Sequence, residues 1–328
     1  MILYLGRRLL GMLGVLLAIA AVTFTLFHVL PSDPAAAACG KACSDERLEA
    51  IRATMGLDEP VWRQFTGFVT GIFTGRTLGT GPYALRCDVP CLGYSYENSE
   101  GVWDLLVDRL PVSASLAAGA AVLWLALGLT AGVTAALRKD TLTDRALMVG
   151  AVAAASLPVY FTSVLLIFGL IRLTGLLPYP QYVPFTTDPL SWASNLLLPW
   201  LALAILYAAM YARQSRSAMI ESMAEPYIRT ARAKGLPRRT VVVKHGLRAG
   251  MTPVLTLFGM DLGGLLAGAV ITESLFGLPG IGRLFHGALT TGDQPVVLGV
   301  TLLAATFIVV ANLAVDLLYA VVDPRVRY

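Results

Sequence analysis

At 328 residues, the chain is 56% hydrophobic and only 14% charged, against about 45–50% apolar and 25% charged in soluble domains. With a mean hydropathy of +0.69, this composition excludes an ordinary cytosolic enzyme, a disordered chain and a nucleic-acid binder, and it makes the lipid bilayer the expected solvent. The net charge of +4 is informative only once it is mapped by side.

A spanning helix needs about 20 apolar residues, and long apolar runs predict six of them in an all-α polytopic fold: Leu9–Leu30, Pro111–Leu137, Ala146–Ile171, Leu196–Ala212, Met251–Leu275 and Pro295–Val322. The fourth is short and interrupted by Pro199, but dropping it would put the following basic loop on the wrong side. With a cytoplasmic N-terminus, the inner segments hold Arg7, Arg8, Arg138, Lys139, Arg145, nine more between Arg213 and Arg248, then Arg325 and Arg327, which makes 16 of the 25 basic residues. The outer segments hold the other 9, with 13 of the 21 acidic residues beside them. This bias predicts that both termini are cytoplasmic. A cleaved signal peptide is the alternative for the first run, because Arg7 and Arg8 precede it and an Ala-rich stretch ends at Cys39. Signal-peptide cores span about 7–15 residues, whereas Leu9–Leu30 is long enough to cross, so it is expected to stay as an anchor.

Three segments follow: 1–30 with the first span, 31–110 as a small extracytoplasmic subdomain, and 111–328 as a five-helix core that includes the inner loop 213–250. The outer segment turns to Gly, Thr, Asp and Glu, with an amphipathic stretch around Asp45–Phe68, and it contains all four cysteines, as Cys39-x3-Cys43 and Cys87-x3-Cys91. Outside the cytoplasm an even set of cysteines reads as disulfides, and a bridge between the two pairs constrains more of the unfolded chain than one within a pair. A four-thiolate metal site is the competing reading. Farther on, Gly277–Gln294 has Gly and Pro punctuation around a short predicted helix, Ile281–Leu289. Such a segment is tolerated at membrane depth only where it packs on protein or lines a wet cavity.

The longest inner segment, Arg213–Gly250, has at its centre EPYIRTARAKGLPRRTVVVKHGLR. Pro226 stands where a first-turn proline belongs, Gly235 where a helix-ending glycine belongs, and Pro237 just beyond, bracketing a helix of about nine residues. A helix so short needs a docking partner; the bland alternative is a solvated basic loop.

At this point the chain resembles the inner-membrane permease subunits of ATP-binding-cassette importers, in the dipeptide/oligopeptide branch. The resemblance is carried by YLGRRLL leading to LPSDP, then GLLPYPQY, RTARAKG, ESLFGLPGIGRLFHGAL and the ending DLLYAVVDPRVRY, in order along the chain. Those permeases dock a cytoplasmic coupling helix into an ATPase subunit. The resemblance implies that role here for Glu225, Tyr227, Arg229, Thr230, Ala231, Ala233, Lys234 and Gly235. The family's first acidic residue is absent, and its downstream Ile-x-Leu-Pro is replaced by His245-Gly-Leu-Arg248. The cysteine-bearing loop has no counterpart in the resemblance.

The resemblance further implies a bacterial inner-membrane protein partnered by a second, different permease, two ATP-binding subunits and an extracytoplasmic binding protein. The cargo would be short peptides moved by alternating access, with nickel chelates, haem or glutathione as alternatives. ATP and Mg would be bound by the partners, since the chain has no G-x4-G-K-[ST] loop. His28, His245 and His286 lie in predicted loops or at a span edge and assemble no Ser-His or metal constellation, so no catalytic role, metal or cofactor is expected.

Of three carboxylates in apolar surroundings, Glu273 and Asp316 fall near predicted span ends. Asp261 instead stands about ten residues into the fifth span, roughly 15 Å along it at 1.5 Å per residue. A mid-membrane acid is a functional-site hypothesis by default; a hydrogen bond to a neighbouring helix is the structural alternative. An ion-coupled secondary transporter would need inverted repeats and coupling-ion sites, and Asp261 alone is thin support for one.

Overall fold

The computed structural model describes residues 2–29, 35, 44–55, 59–78 and 84–322. Its elements run in chain order as α1 (Ile2–Val29), α2 (Asp45–Met55), α3 (Val61–Thr74), strands β1 (Arg76–Leu78), β2 (Leu85–Cys87), β3 (Tyr94–Ser95) and β4 (Glu100–Gly101), then α4 (Val102–Leu137), α5 (Leu142–Ser156) and α6 (Val159–Leu173). The rest is α7 (Pro189–Ala224), α8 (Pro226–Ala233), α9 (Arg238–Gly250), α10 (Thr252–Leu266), α11 (Val270–Leu275), α12 (Ile281–Thr291) and α13 (Gln294–Val322). Both sheets are two-stranded and antiparallel, pairing β1 with β2 and β3 with β4.

Four of the described helices are long and apolar enough to cross a membrane, and six spans result if each of two bent helix pairs counts as one. The first bend corrects the expectation of a continuous third span, and the break at Gly268 corrects that of a continuous fifth. Between α5 and α6 the axis turns by 100°, because Pro158 lacks an N–H and drives Leu157 into extended backbone, at φ −89° and ψ 123°. Between α9 and α10 the turn is 52°, next to Pro253. Beyond α10, Gly268 at φ +117° breaks the helix again before α11.

The fourth span also differs from the sequence reading. Instead of a short run, α7 is a 36-residue helix, about 54 Å long at 1.5 Å per residue, against a hydrocarbon layer of about 30 Å. Asp188 starts it by accepting hydrogen bonds from the Leu190 and Ser191 N–H groups and the Ser191 hydroxyl. These bonds, the Ser191 hydroxyl first, hold the Asp188 carboxyl below its usual range.

The chain divides into two compact units. The first comprises residues 1–113 and 279–307. Its core gathers Leu92, Val102, Leu105, Leu106, Ile281, Ala288, Val296, Val297 and Val300. Beside it Phe24 of α1 packs with Phe68 of α3 and Leu298 of α13, so the amphipathic stretch expected around Asp45–Phe68 becomes two helices, of which α3 buries its aromatic face. The Ser95 hydroxyl donates to the Asp293 carboxylate, and the Ser113 hydroxyl accepts from the Ile281 N–H at the start of α12. The first bond ties the β3–β4 hairpin to the residue before α13, and the second ties α4 to the start of the segment Ile281–Leu289, whose predicted helix is present and runs two residues longer.

In this unit Cys87, at the end of β2, forms a disulfide with Cys91. This corrects the lean toward a bridge between the two cysteine pairs and removes these two thiolates from any metal site. The turn between them brings the Cα atoms to 5.4 Å, within the window that a disulfide requires, so the local pairing is the one geometry favours. Cys39 and Cys43 lie outside the described residues.

The second unit comprises residues 114–278 and 308–328. Trp124 and Tyr211 are its largest fully buried side chains. Helices α5 and α7 pack through Ala151, Ala209 and Ala212, small residues that allow close approach in place of bulky apolar contact.

Candidate functional site

Two regions carry the sequence-derived candidates, and both belong to the second unit. The first is α8. Glu225 precedes it in extended backbone and Pro226 occupies the first turn, as the sequence predicts. At its other end Gly235 takes φ +73°. The Gly235 N–H donates to the Arg232 carbonyl and the Leu236 N–H to the Ala231 carbonyl, the paired bonds of a Schellman stop.

One face of α8 is anchored in its own chain. Ile228 and Ala231, three residues apart, are buried against Val241 of α9, with Met223 of α7 alongside. The Ser222 hydroxyl donates to the Gly246 carbonyl and also lies 3.2 Å from the Tyr227 hydroxyl. The opposite face is solvent-facing: Glu225, Tyr227, Arg229, Thr230, Arg232, Ala233, Lys234 and Gly235 are all exposed. Ala231, grouped with the contact residues in the sequence reading, instead faces inward and is 7% exposed. It is a support on which the exposed face rests. With Arg229, Arg232, Lys234, Arg238 and Arg239 exposed together, the outward surface is strongly basic.

The second region surrounds Asp261 on α10. The Tyr211 hydroxyl of α7 donates to its Oδ2 at 2.9 Å. Oδ1 has no hydrogen-bond partner among the described residues and is not enclosed, because Asp261 is only half-buried and does not number among the unsatisfied buried atoms. Around the pair stands an aromatic wall: the Trp124 ring of α4 lies 4.8 Å from Tyr207, 6.0 Å from Tyr211 and 6.2 Å from Phe258, between ring centroids. The buried Trp124 indole N–H has no partner in hydrogen-bond geometry among the described residues. Close helix contact holds the arrangement, since a Cβ on Gly128 of α4 would meet the Tyr211 Cβ at 2.7 Å.

The sequence located Asp261 but missed Tyr211, Trp124, Tyr207 and Phe258. In a chain this apolar, aromatic residues within spans carry no signal beyond their hydrophobicity, and their grouping depends on how three helices cross. Glu273, by contrast, is fully buried and accepts the Ala269 N–H at 3.2 Å, a cap on the start of α11.

Two family sequence models match the chain. The description "Binding-prot-dependent transport system membrane comp, N-term" covers residues 1–117, and "Binding-protein-dependent transport system inner membrane component" covers residues 128–328. The dipeptide transport system permease protein DppB of Escherichia coli (strain K12) is 34% identical over a 352-residue alignment that covers 100% of this chain and 99% of that protein. The di/tripeptide transport system permease protein DppB of Pseudomonas aeruginosa (strain UCBPP-PA14) is 33% identical over 349 residues, covering 100% and 99%. Among solved structures, a chain of the MetNI methionine ABC transporter in an inward-facing conformation superposes with a TM-score of 0.52 at 16% identity, covering 67% of this chain and 97% of that one. That likeness bears on the fold.

Proposed function

Because the chain belongs to the binding-protein-dependent transport system inner membrane component family, we propose that it is one half of the membrane path of an importer for short peptides. It is a multi-pass inner-membrane permease subunit of a multi-subunit peptide ABC importer, and it is not itself a catalyst. The observation that carries the peptide cargo is the end-to-end alignment with dipeptide permeases.

In this reading a second, different permease completes the path, an extracytoplasmic binding protein delivers the peptide, and two cytoplasmic ATPase subunits bind ATP and Mg. Both termini face the cytoplasm, consistent with the basic inner segments. The exposed face of α8, with Glu225, Tyr227, Arg229, Thr230, Ala233 and Lys234, docks on an ATPase. Ile228 and Ala231 hold it to the core, and Gly235 sets its exit. When ATP draws the ATPases together, a helix braced this way moves as a rigid lever with α7 and α9, and the attached spans open toward the binding protein. Hydrolysis resets the inward-facing state. Asp261 faces the path. The outer segment bearing Cys87–Cys91 receives the binding protein, as a large surface on that side.

The test is growth of an auxotroph on a dipeptide containing its required amino acid. Deleting this chain should abolish growth on the dipeptide but not on the free amino acid, and a plasmid copy should restore it. Unchanged dipeptide use in the deletion strain would overturn the peptide reading.

A further inference from the structure

The surroundings of Asp261 are specific about what the open carboxylate oxygen can accept. No Lys or Arg forms a salt bridge with Asp261 among the described residues, and Tyr211 occupies only Oδ2. A carboxylate with one oxygen left open on an apolar helix is costly against lipid and is sustained by water or by a cation. The half-buried rings of Tyr207 and Phe258 pack on Trp124, with Phe258 three residues before Asp261 on α10, and aromatic faces attract ammonium groups while offering a carboxylate nothing. The exposed neighbours on α10, Met260 and Gly264, are soft or absent side chains, and nothing lies within 4 Å of a Cβ placed on Gly264. One turn on from Asp261, the helix therefore leaves open space.

We propose that Asp261, with the Tyr211 hydroxyl and the Trp124–Tyr207–Phe258 wall, forms a station that holds the α-ammonium group of a peptide on its way through the membrane. Every short peptide with a free amino end carries that group whatever its side chains, so one station serves many sequences. Tyr211 fixes the carboxylate by its donated hydrogen bond and leaves Oδ1 for the incoming N–H groups, a charge-assisted bond of the stronger kind. The buried Trp124 positions Tyr211 and Tyr207 and is not itself a ligand contact. This inference rests on the reading of the chain as a peptide-path subunit with Asp261 facing the path.

The test uses the complete importer in nanodiscs with Gly264→Cys, labelled by a membrane-impermeant thiol reagent, with labelling of the unsubstituted chain subtracted. Dialanine should slow the labelling about tenfold relative to its des-amino analogue N-propionyl-alanine, equivalent to about 1.4 kcal/mol for one charge-assisted contact. Asp261→Asn should erase that difference and Asp261→Glu should keep part of it, each variant being compared with its own labelling in the absence of peptide. Labelling slowed equally by the two probes, by neither, or undiminished in its selectivity by Asp261→Asn, would overturn the ammonium station and leave the path reading standing. No labelling of the cysteine in either the ATP-bound or the resting state would overturn both.

Discussion

Arg216 of α7 lays its guanidinium across both carboxylate oxygens of Asp144 of α5, with Nε to Oδ1 at 2.6 Å and Nη2 to Oδ2 at 2.7 Å. Asp144 also accepts the Asp140 N–H at 3.0 Å, so the fork joins the connection before α5 to the C-terminal half of α7, the helix that leads into α8. The two partners are 72 residues apart in the chain.

Removing one partner should leave a buried charge unpaired. The Asp144 side chain is 5% exposed and that of Arg216 25%, so Arg216→Ala, which strands the buried carboxylate, should cost about 3 kcal/mol, the lower end of the range for broken buried pairs, and Asp144→Ala, which leaves the partly exposed guanidinium to water, should cost less. The double variant should be less destabilised than the sum of the two. Thermal melting of the purified importer checks this, and additive losses would show that the fork contributes no coupling energy.

The exit of α8 depends on one backbone conformation. A β-branched residue at φ +73° is strained by roughly 1–2 kcal/mol, so Gly235→Val should disturb the Schellman stop while Gly235→Asn, which tolerates this region, should be milder. Arg229→Glu should reverse charge on the exposed face without touching the core. Valine and glutamate variants should insert at normal levels yet lose binding-protein-stimulated ATP hydrolysis; wild-type stimulation in both would remove α8 as the ATPase contact.

The Cys87–Cys91 bridge closes a loop of five residues. The chain-entropy relation gives about 2 kcal/mol for a loop this short, so Cys87→Ser should loosen the β1–β2 hairpin locally and leave the spans intact. Non-reducing peptide mapping should recover Cys87 and Cys91 in one linked fragment, and a link from either to Cys39 or Cys43 would contradict the pairing.

Burial raises the Asp293 carboxyl above its ordinary range, against the lowering effect of the Ser95 hydrogen bond. A raised acid favours the protonated folded form, so its contribution to stability is present at low pH and is lost as pH climbs through the folded-state value. Asp293→Asn should flatten that part of the stability profile of the first unit. Hydrogen exchange of the β3–β4 hairpin across this pH interval provides the measurement, with the same slope in wild type and variant as the contrary result.

The linear sequence by itself determined the solvent, the helical class, the number of apolar segments, the stop signals of α8 and the isolated acid at 261. Each of these is written locally: apolar run length answers to bilayer thickness, Pro226 and Gly235 act on their own backbone, and a carboxylate inside a span stands out from its immediate neighbours. Only the tertiary structure decided that Leu157–Pro158 breaks a span by 100°, that Cys87 turns back to Cys91, that Ala231 faces inward and that Tyr211 reaches Asp261. The last relationship joins residues 50 positions apart, and in helices apolar on every side no polar stripe marks in advance which face will meet which. Helix crossing sets those pairings, through close approaches such as Gly128 on Tyr211, and packing between helices is a property of the folded arrangement that no single stretch of sequence carries.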